Sequence, residues 1–452
     1  MKNLNVDIGK QYALDVVSGD IIACNWIRLA CKRHLNDLKK VQKEEYPYYF
    51  DEAAGEKVCK FVQLFPHTKG KWASSGELLK LEPWQLFFVS SSFGWKRKKN
   101  GTRRFRKINL WVPRKNGKSA LAAAISLYML AADDEYGSEV YVGATTEKQA
   151  WEVFRPAKIM ATRVEEFKEA YGVVVNAKSL YTESSESRLE PMIGSPADGS
   201  SPHLAIIDEY HEHRTDVSYD TMMTGMGARE QPLLLMITTA GDNIAGPCYQ
   251  LQIESQKMLE GVVEDDETFS LIYTIDKDDQ WDSEEALYKA NPNIGVSVSE
   301  DFLLARLRDA KNNARKQSVY KTKHLNQWVG AMDAYYNVDK WQACGDESLE
   351  LEDFYGSQIY IGLDLATKVD IAALEILIMR DDGSMVRFGK YYLPEDALLN
   401  GSSEHYTQWD IDGWLTVTDG DITDFNVVKE DILELVQNFE VLELAYDPFQ
   451  AT

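Results

Sequence analysis

The eight residues VPRKNGKS, 112–119, constrain this chain more than any other feature. An apolar, β-prone run, INLWV at 108–112, leads into them, and a run of strong helix formers, ALAAAISLYML at 120–130, leads out. The spacing predicts a strand, a tight turn and a helix in immediate succession. A helix that begins at such a turn carries unpaired backbone N–H groups and a partial positive charge at its N-terminus, which suits an anion. In that setting the backbone around Gly117 can wrap phosphate oxygens, Lys118 can reach the β and γ phosphates of ATP, and the Ser119 hydroxyl can ligate Mg2+. Val112 stands where the usual phosphate-loop pattern has glycine. Gly-Lys-Ser alone also fits an ordinary strand-to-helix turn whose lysine and serine face water.

A second signal supports the first. LAIIDEYHEH at 204–213 is a short apolar strand that delivers Asp208 and Glu209 to its C-terminal end, the edge where ligands of open α/β sheets collect. Asp208 is placed to hold Mg2+ through water and Glu209 to polarise an attacking water. The strand LLLMIT that follows ends in Thr238 and Thr239, whose hydroxyls either sense the γ phosphate or simply cap an uncharged strand. These runs, with VYVGA and LIYTI, alternate with helical segments from Lys107 to Ile275, the pattern of an α/β domain with a mainly parallel sheet. Residues 1–80 read as a lead-in region, 81–279 as the core, and 280–350 as a helical connector. Within the connector, Glu300–Lys316 places Phe302, Leu303, Leu307 and Ala310 at helical spacing.

A second α/β alternation occupies 355–452, through IYIGLDL, IAALEILIM and MVRFGKYYL to VLELAYD, with Asp-Asp-Gly at 381–383 predicting a hairpin between two of its strands. Asp364 and Asp447 each end an apolar strand, and carboxylates offered from two strand ends can share metal ions in a two-metal phosphodiesterase. Asp370 is a further candidate ligand, or a residue that caps the next strand.

With 72 acidic against 49 basic residues, the net charge is −23, so any nucleic-acid contact must come from a local basic patch. KRKKNGTRRFRK at 96–107 is that patch, a predicted basic hairpin. Its Lys96, Arg97, Lys98, Lys99, Arg103 and Arg104 either contact DNA phosphates or form a charged edge that discourages strand pairing. His211 and His213 lack a third ligand at metal spacing and read as a solvated loop. The acids from Asp410 to Asp424 lack the ligand ladder of a calcium loop. The five cysteines are scattered, with no metal or disulfide pattern. The apolar run Ala120–Ala132 is too short to cross a bilayer, so a soluble, unsecreted protein is expected.

Taken in order, these motifs resemble the large terminase subunits of tailed bacteriophages. Pro113, Arg114, Lys115, Asn116, Gly117, Lys118 and Ser119 match that family's arginine-bearing phosphate loop, and Trp84 and Gln85 of LEPWQLFF match its adenine-recognition segment. NPNIGVSVSEDFL and KHLNQWV resemble its connecting segment; HYTQWDIDGWLTVTDG and LAYDPFQAT resemble its nuclease. The resemblance implies a P-loop ATPase domain of the ASCE, RecA-like kind followed by an RNase H-like α/β nuclease domain. It makes Arg114 a phosphate-contacting arginine within the subunit and implies a second arginine from a ring neighbour, for which Arg155 is a candidate against a plain surface charge. It also implies ATP with Mg2+ at the first site and Mg2+ or Mn2+ at the second. The family's remaining essential acid lies further along than Thr452, so the nuclease domain reads as C-terminally truncated, with little cleavage expected. Implied partners are double-stranded DNA, the portal of a procapsid, a small terminase subunit and further copies in a ring, all in the cytoplasm of an infected bacterium. A helicase or remodelling ATPase without nuclease activity is the competing reading. It requires a second ATPase-like core in the C-terminal half.

Overall fold

The computed structural model describes residues 4–193, 199–329, 341, 343–368, 370–380, 382–400 and 404–447. The chain divides into two compact units, Met1–Val338 and Asp339–Thr452.

The first unit is built on an eight-stranded sheet. Its strands are β3 (Lys107–Trp111), β4 (Glu139–Ala144), β5 (Val173–Val175), β6 (Leu180–Thr182), β7 (Ser187–Ile193), β8 (Leu204–Asp208), β9 (Leu233–Thr238) and β10 (Thr268–Ile272). A two-stranded ribbon, β1 (Tyr48–Phe50) with β2 (Trp95–Arg97), lies apart from it. The sheet order is β10-β3-β9-β8-β4-β7-β6-β5, parallel from β10 to β7 and antiparallel in its last two pairs. Four of the five apolar runs read from the sequence are strands of the parallel part; the fifth, LIYTI at 271–275, meets β10 only at Leu271 and Ile272, because that strand starts earlier, at Thr268. The sheet's antiparallel extension, β5 and β6, consists of strands of three residues each, too short for alternation to register.

β3, β8, β9 and β10 are almost wholly buried, as expected of parallel strands covered by helices on both faces. The helix Lys118–Ala131 is buried along most of its length because alanines and leucines surround it on every side. The helices Leu4–Ser18, Asn25–Lys40, Glu52–Val62 and Pro83–Gly94 share the same core, where Tyr12, Ile27, Val58 and Phe87 join the sheet residues Leu110, Ile206 and Leu235. After β10, the helices Glu284–Ala290, Glu300–Asn312 and Ala314–His324 enclose a smaller core of Leu287, Leu303, Leu307, Ala310 and Tyr320. The helix expected over 300–316 stops at Asn312, because Asn313 turns into extended backbone and its side chain caps the next helix at Arg315 N–H. Phe302, expected inside, is 45% exposed.

The second unit has a five-stranded sheet, order β14-β13-β12-β11-β15, from β11 (Gln358–Asp364), β12 (Ala372–Met379), β13 (Met385–Pro394), β14 (Thr416–Thr418) and β15 (Glu440–Tyr446). β11–β12–β13 is an antiparallel meander, and β14 and β15 add in parallel at its two edges. The hairpin predicted from Asp-Asp-Gly joins β12 to β13, with Gly383 at φ +82° as its turn residue; Asp381 lies outside the described residues. The helix Phe425–Asn438 buries Val428 and Leu435 against this sheet. Among the described residues, no helix is long and apolar enough to cross a membrane.

Candidate functional site

The phosphate-loop turn forms where its sequence requires it. Gly117 caps the helix Lys118–Ala131 at φ +83°, a left-handed conformation that glycine adopts without steric cost. A Cβ there would stand 3.3 Å from Gln85 Nε2 and 3.5 Å from Asn293 Nδ2. The neighbouring Asn116 is fully buried. Its Nδ2 donates to Asn291 Oδ1 at 3.0 Å and its Oδ1 accepts from the Asn293 N–H at 3.0 Å. Ser297 Oγ donates to the carbonyl of Lys115, itself at φ +72°, at 2.6 Å. The stretch 291–297 therefore holds the loop from outside the sheet. Asn116 and the buried Pro113 shape the loop, while Arg114, Lys115, Gly117, Lys118 and Ser119 face an adjoining cavity.

Opposite the loop, the parallel register sets Asp208 beside Ile237 and Trp111 beside Thr238, so β3, β9 and β8 end together. β9 thus separates the phosphate-loop strand from the acid-bearing strand. Asp208 is buried, and burial together with the charge of Glu209 pushes its carboxyl well above the ordinary range. Glu209 sits at φ +50°, a strained conformation for a non-glycine residue. This bend aims its Oε1 to within 3.8 Å of Lys118 Nζ across the cavity mouth.

His211 and His213 are not on a solvated loop. Both are buried, because the chain after Glu209 turns inward as a short 3-10 helix. His211 Nδ1 lies 2.9 Å from Thr238 Oγ1 and 3.3 Å from Glu209 Oε2, and its Nε2 lies 3.1 Å from Lys323 Nζ. Burial and the cations Lys323, Lys118 and Arg114 push the His211 imidazole far down, so it is neutral. Thr238 and Thr239 are wholly buried; Thr238 touches the acid tip through His211, and the Thr239 hydroxyl has no hydrogen-bond partner. Lys323 and the asparagines at 291 and 293 carried no chemical signature in the sequence, since their roles depend on a fold-back from the connector.

The cavity, about 790 Å³, is walled by the phosphate loop and Glu209, by Asn293, Val296 and Ser297, and by residues 67–82, including His67, Trp72 and Leu81. This volume suits a nucleotide. Trp84 does not face it. Its indole is buried edge-on against Tyr273, and its N–H donates to Asn293 Oδ1 at 2.6 Å, so the tryptophan expected beside adenine instead anchors the clamp on the loop. Gln85 does line the cavity, with its Oε1 engaged by the Glu82 N–H in a helix-capping box. The ring pair of His67 and Trp72, centroids 4.8 Å apart, gives the cavity an aromatic wall that no sequence motif announced.

The basic hairpin forms, with Lys96 bridged to Arg103, but two of the six expected DNA contacts are spent inside. Arg103 and Arg104 are fully buried. Arg103 pairs with Asp133, and Arg104 with Asp37 and Asp266, so neither can reach a phosphate. Arg97 pairs with Glu267, Lys96 is half-buried, and only Lys98 and Lys99 stand exposed. Arg155 is exposed on its helix, over the Trp151 ring.

In the second unit, β11 and β15 run parallel with Leu363 opposite Tyr446, so Asp364 and Asp447 follow side by side at one sheet edge. Asp364 and Asp370 are exposed. Among the described residues, no group of three or more His, Cys, Asp or Glu side chains is gathered as a metal cage. Among the described residues, this unit's sheet is the mixed β14-β13-β12-β11-β15 and not a second parallel sheet like the one a two-core helicase would need.

Residues 83–257 match the family model of the terminase large subunit ATPase domain, and residues 262–452 match that of the terminase large subunit endonuclease domain. The chain belongs to the terminase large subunits. The large terminase subunit of Enterobacteria phage HK97 is 27% identical over 402 residues, 87% of this chain and 76% of that protein. The HK97 large terminase crystal structure superposes with a TM-score of 0.53 at 26% identity, covering 88% of this chain and 80% of that one. Protein YmfN of Escherichia coli K12 is 46% identical over 266 residues, and the match spans 56% of this chain and 58% of YmfN. The chain joins an ATPase domain to an endonuclease domain, a pairing that entails the use of nucleotide and divalent metal.

Proposed function

We propose that this terminase subunit hydrolyses ATP in the cavity between Gly117 and Glu209 and uses the energy to move double-stranded viral DNA into a procapsid. The observation that carries this is Lys118 Nζ facing Glu209 Oε1 at 3.8 Å across a cavity floored by a glycine-turned helix N-terminus. The N–H groups at Gly117 and Lys118 receive the phosphates, and Lys118 and the exposed Arg114 neutralise charge on the γ phosphoryl group. Glu209 orients a water whose oxygen bonds to the γ phosphorus as the bond to the bridging β–γ oxygen breaks. The Ser119 hydroxyl and the Asp208 carboxylate are hard oxygen donors at the loop and the facing strand end, a set that fits Mg2+. Held by these two side chains, Mg2+ would supply positive charge against the phosphate oxygens. Gln85 addresses the base, and Thr238 and Thr239 couple the site to the DNA-gripping parts. The motor core is assigned to residues 81–279 after a 1–80 lead-in, with 280–350 as connector.

In the second unit, residues 355–452, Asp364 and Asp447, with Asp370 from the following loop, are assigned to Mg2+ or Mn2+ for cutting concatemeric DNA. The partners that fit are double-stranded DNA met partly by Lys98 and Lys99, a procapsid portal, a small terminase subunit and ring neighbours, in the cytoplasm of the infected host. ATP turnover by wild type beside Lys118→Ala and Glu209→Ala tests the motor site. Loss of turnover by at least about 100-fold in each supports it, by analogy with the size of single electrostatic contributions to catalysis, and equal rates remove it.

A further inference from the structure

We propose that Lys323, from the connector, is a positioning residue for ATP hydrolysis that acts through His211 to aim Glu209; this rests on the ATPase reading above. Thr238 Oγ1 donates its proton to the Thr239 carbonyl at 3.0 Å and accepts from the His211 backbone N–H at 3.1 Å. With that hydroxyl proton committed, the 2.9 Å contact between Thr238 Oγ1 and His211 Nδ1 requires the proton to sit on Nδ1. The same nitrogen lies 3.3 Å from Glu209 Oε2, a buried carboxylate oxygen without a hydrogen-bond partner, so the charge at Nδ1 bears directly on how that carboxylate is aimed. Nε2 is then a lone pair, and the Lys323 ammonium donates to it at 3.1 Å. Lys323 therefore holds from Nε2 the same tautomer that Thr238 holds from Nδ1. Without Lys323, the Glu212 carboxylate, 3.7 Å from Nε2, draws the ring proton there while the Thr238 hydroxyl turns from the Thr239 carbonyl to donate to Nδ1, which sets a lone pair against Glu209 Oε2 and turns Glu209 away from the water it orients.

The arrangement is built rather than incidental. Lys323 is half-buried in the last turn of the helix Ala314–His324, and its own carbonyl accepts the Arg114 N–H at 3.1 Å. The connector thus touches the phosphate loop with its backbone and the acid tip with its side chain. Lys323 does not line the nucleotide cavity, so its influence falls on the chemical step more than on binding.

Steady-state ATP turnover of wild type, Lys323→Met, Lys323→Arg, His211→Gln and the double variant Lys323→Met with His211→Gln tests the proposal, alongside thermal melts of each. Expected are a fall in kcat of roughly 10-fold or more for Lys323→Met with KM within about 2-fold, partial recovery in Lys323→Arg, and a double variant no slower than His211→Gln alone. If Lys323→Met fails to fold, Lys323→Arg and His211→Gln still decide the matter through the split between kcat and KM. Unchanged kcat in Lys323→Met, a change confined to KM, or losses that multiply in the double variant would overturn the role of Lys323 while leaving the ATPase reading intact. Wild-type turnover no higher than that of Lys118→Ala would instead overturn the ATPase reading itself.

Discussion

The Arg103 guanidinium holds the Asp133 carboxylate in a two-bond fork of 3.1 and 2.9 Å, with neither side chain more than 5% exposed. His203 Nε2 joins the same carboxylate at 2.7 Å. In a sequence this pair is one arginine of a basic run and one aspartate after a helix. In the fold it is a tie between the hairpin and the end of the phosphate-loop helix.

Breaking a buried pair from one side leaves a charge in low dielectric. Arg103→Ala is expected to cost about 3–5 kcal/mol in urea unfolding without altering the salt dependence of DNA binding. Lys98→Ala with Lys99→Ala is expected to do the reverse, leaving stability within about 0.5 kcal/mol and flattening the salt dependence. A destabilised lysine variant, or an Arg103 variant with a changed salt slope, would contradict the assignment.

His34 sets a pH dependence. It lies among Phe50, Phe87 and Trp95, and its Nδ1 accepts the Trp95 indole N–H at 3.1 Å, so the ring is neutral and protonated on Nε2. Burial pushes the imidazole down to about 3 from its ordinary value near 6.5. Because the unfolded chain takes up a proton that the folded ring refuses, stability is full above pH 6.5 and is lost as pH falls from there towards 3. From pH 6.5 to 5, wild type should lose about 2 kcal/mol more than His34→Gln, which keeps an acceptor for Trp95; parallel curves in urea melts would contradict this.

Asn293 bears on nucleotide affinity. Asn293→Ala removes the acceptor of the Trp84 N–H and the donor to the Asn116 carbonyl, two buried partners. The expected cost is about 1–3 kcal/mol of stability, with nucleotide affinity weakened roughly 10-fold as the loop loosens. Titration with a fluorescent ATP analogue reads the second effect, and wild-type affinity in a folded variant would show that the clamp is not needed.

Asp364 and Asp447 should act together on metal. Titration of Mn2+ followed by electron paramagnetic resonance is expected to show a site in the wild-type chain that Asp364→Asn weakens by about 10-fold or more. Binding indifferent to that substitution would place the metal elsewhere.

The parts of the fold that repeat a local rule were legible in the sequence. Buried parallel strands are continuous apolar runs, so β3, β4, β8 and β9 announced themselves, and Gly117 marked its own turn; β10, which opens on Thr268 and carries Ser270, was read three residues late. Features set by distant partners were not. The resemblance sets Trp84 beside the base, although a lone Pro-Trp-Gln reads as core packing; only the fold shows Asn293 claiming its N–H. Arg103 and Arg104 read as DNA contacts or as a charged edge, both exposed, until Asp133, Asp37 and Asp266, remote in sequence, arrive beside them. His211 reads as a loop residue because nothing local shows that Thr238 and Lys323 will enclose it.

A structure of the chain with Mg2+ and a non-hydrolysable ATP analogue is the most direct test of the motor site. The triphosphate should run over the Gly117 turn, with its γ phosphate between Lys118 and Glu209 and its base beside Gln85. Analogue bound elsewhere, or an empty cavity at saturating concentration, would contradict it.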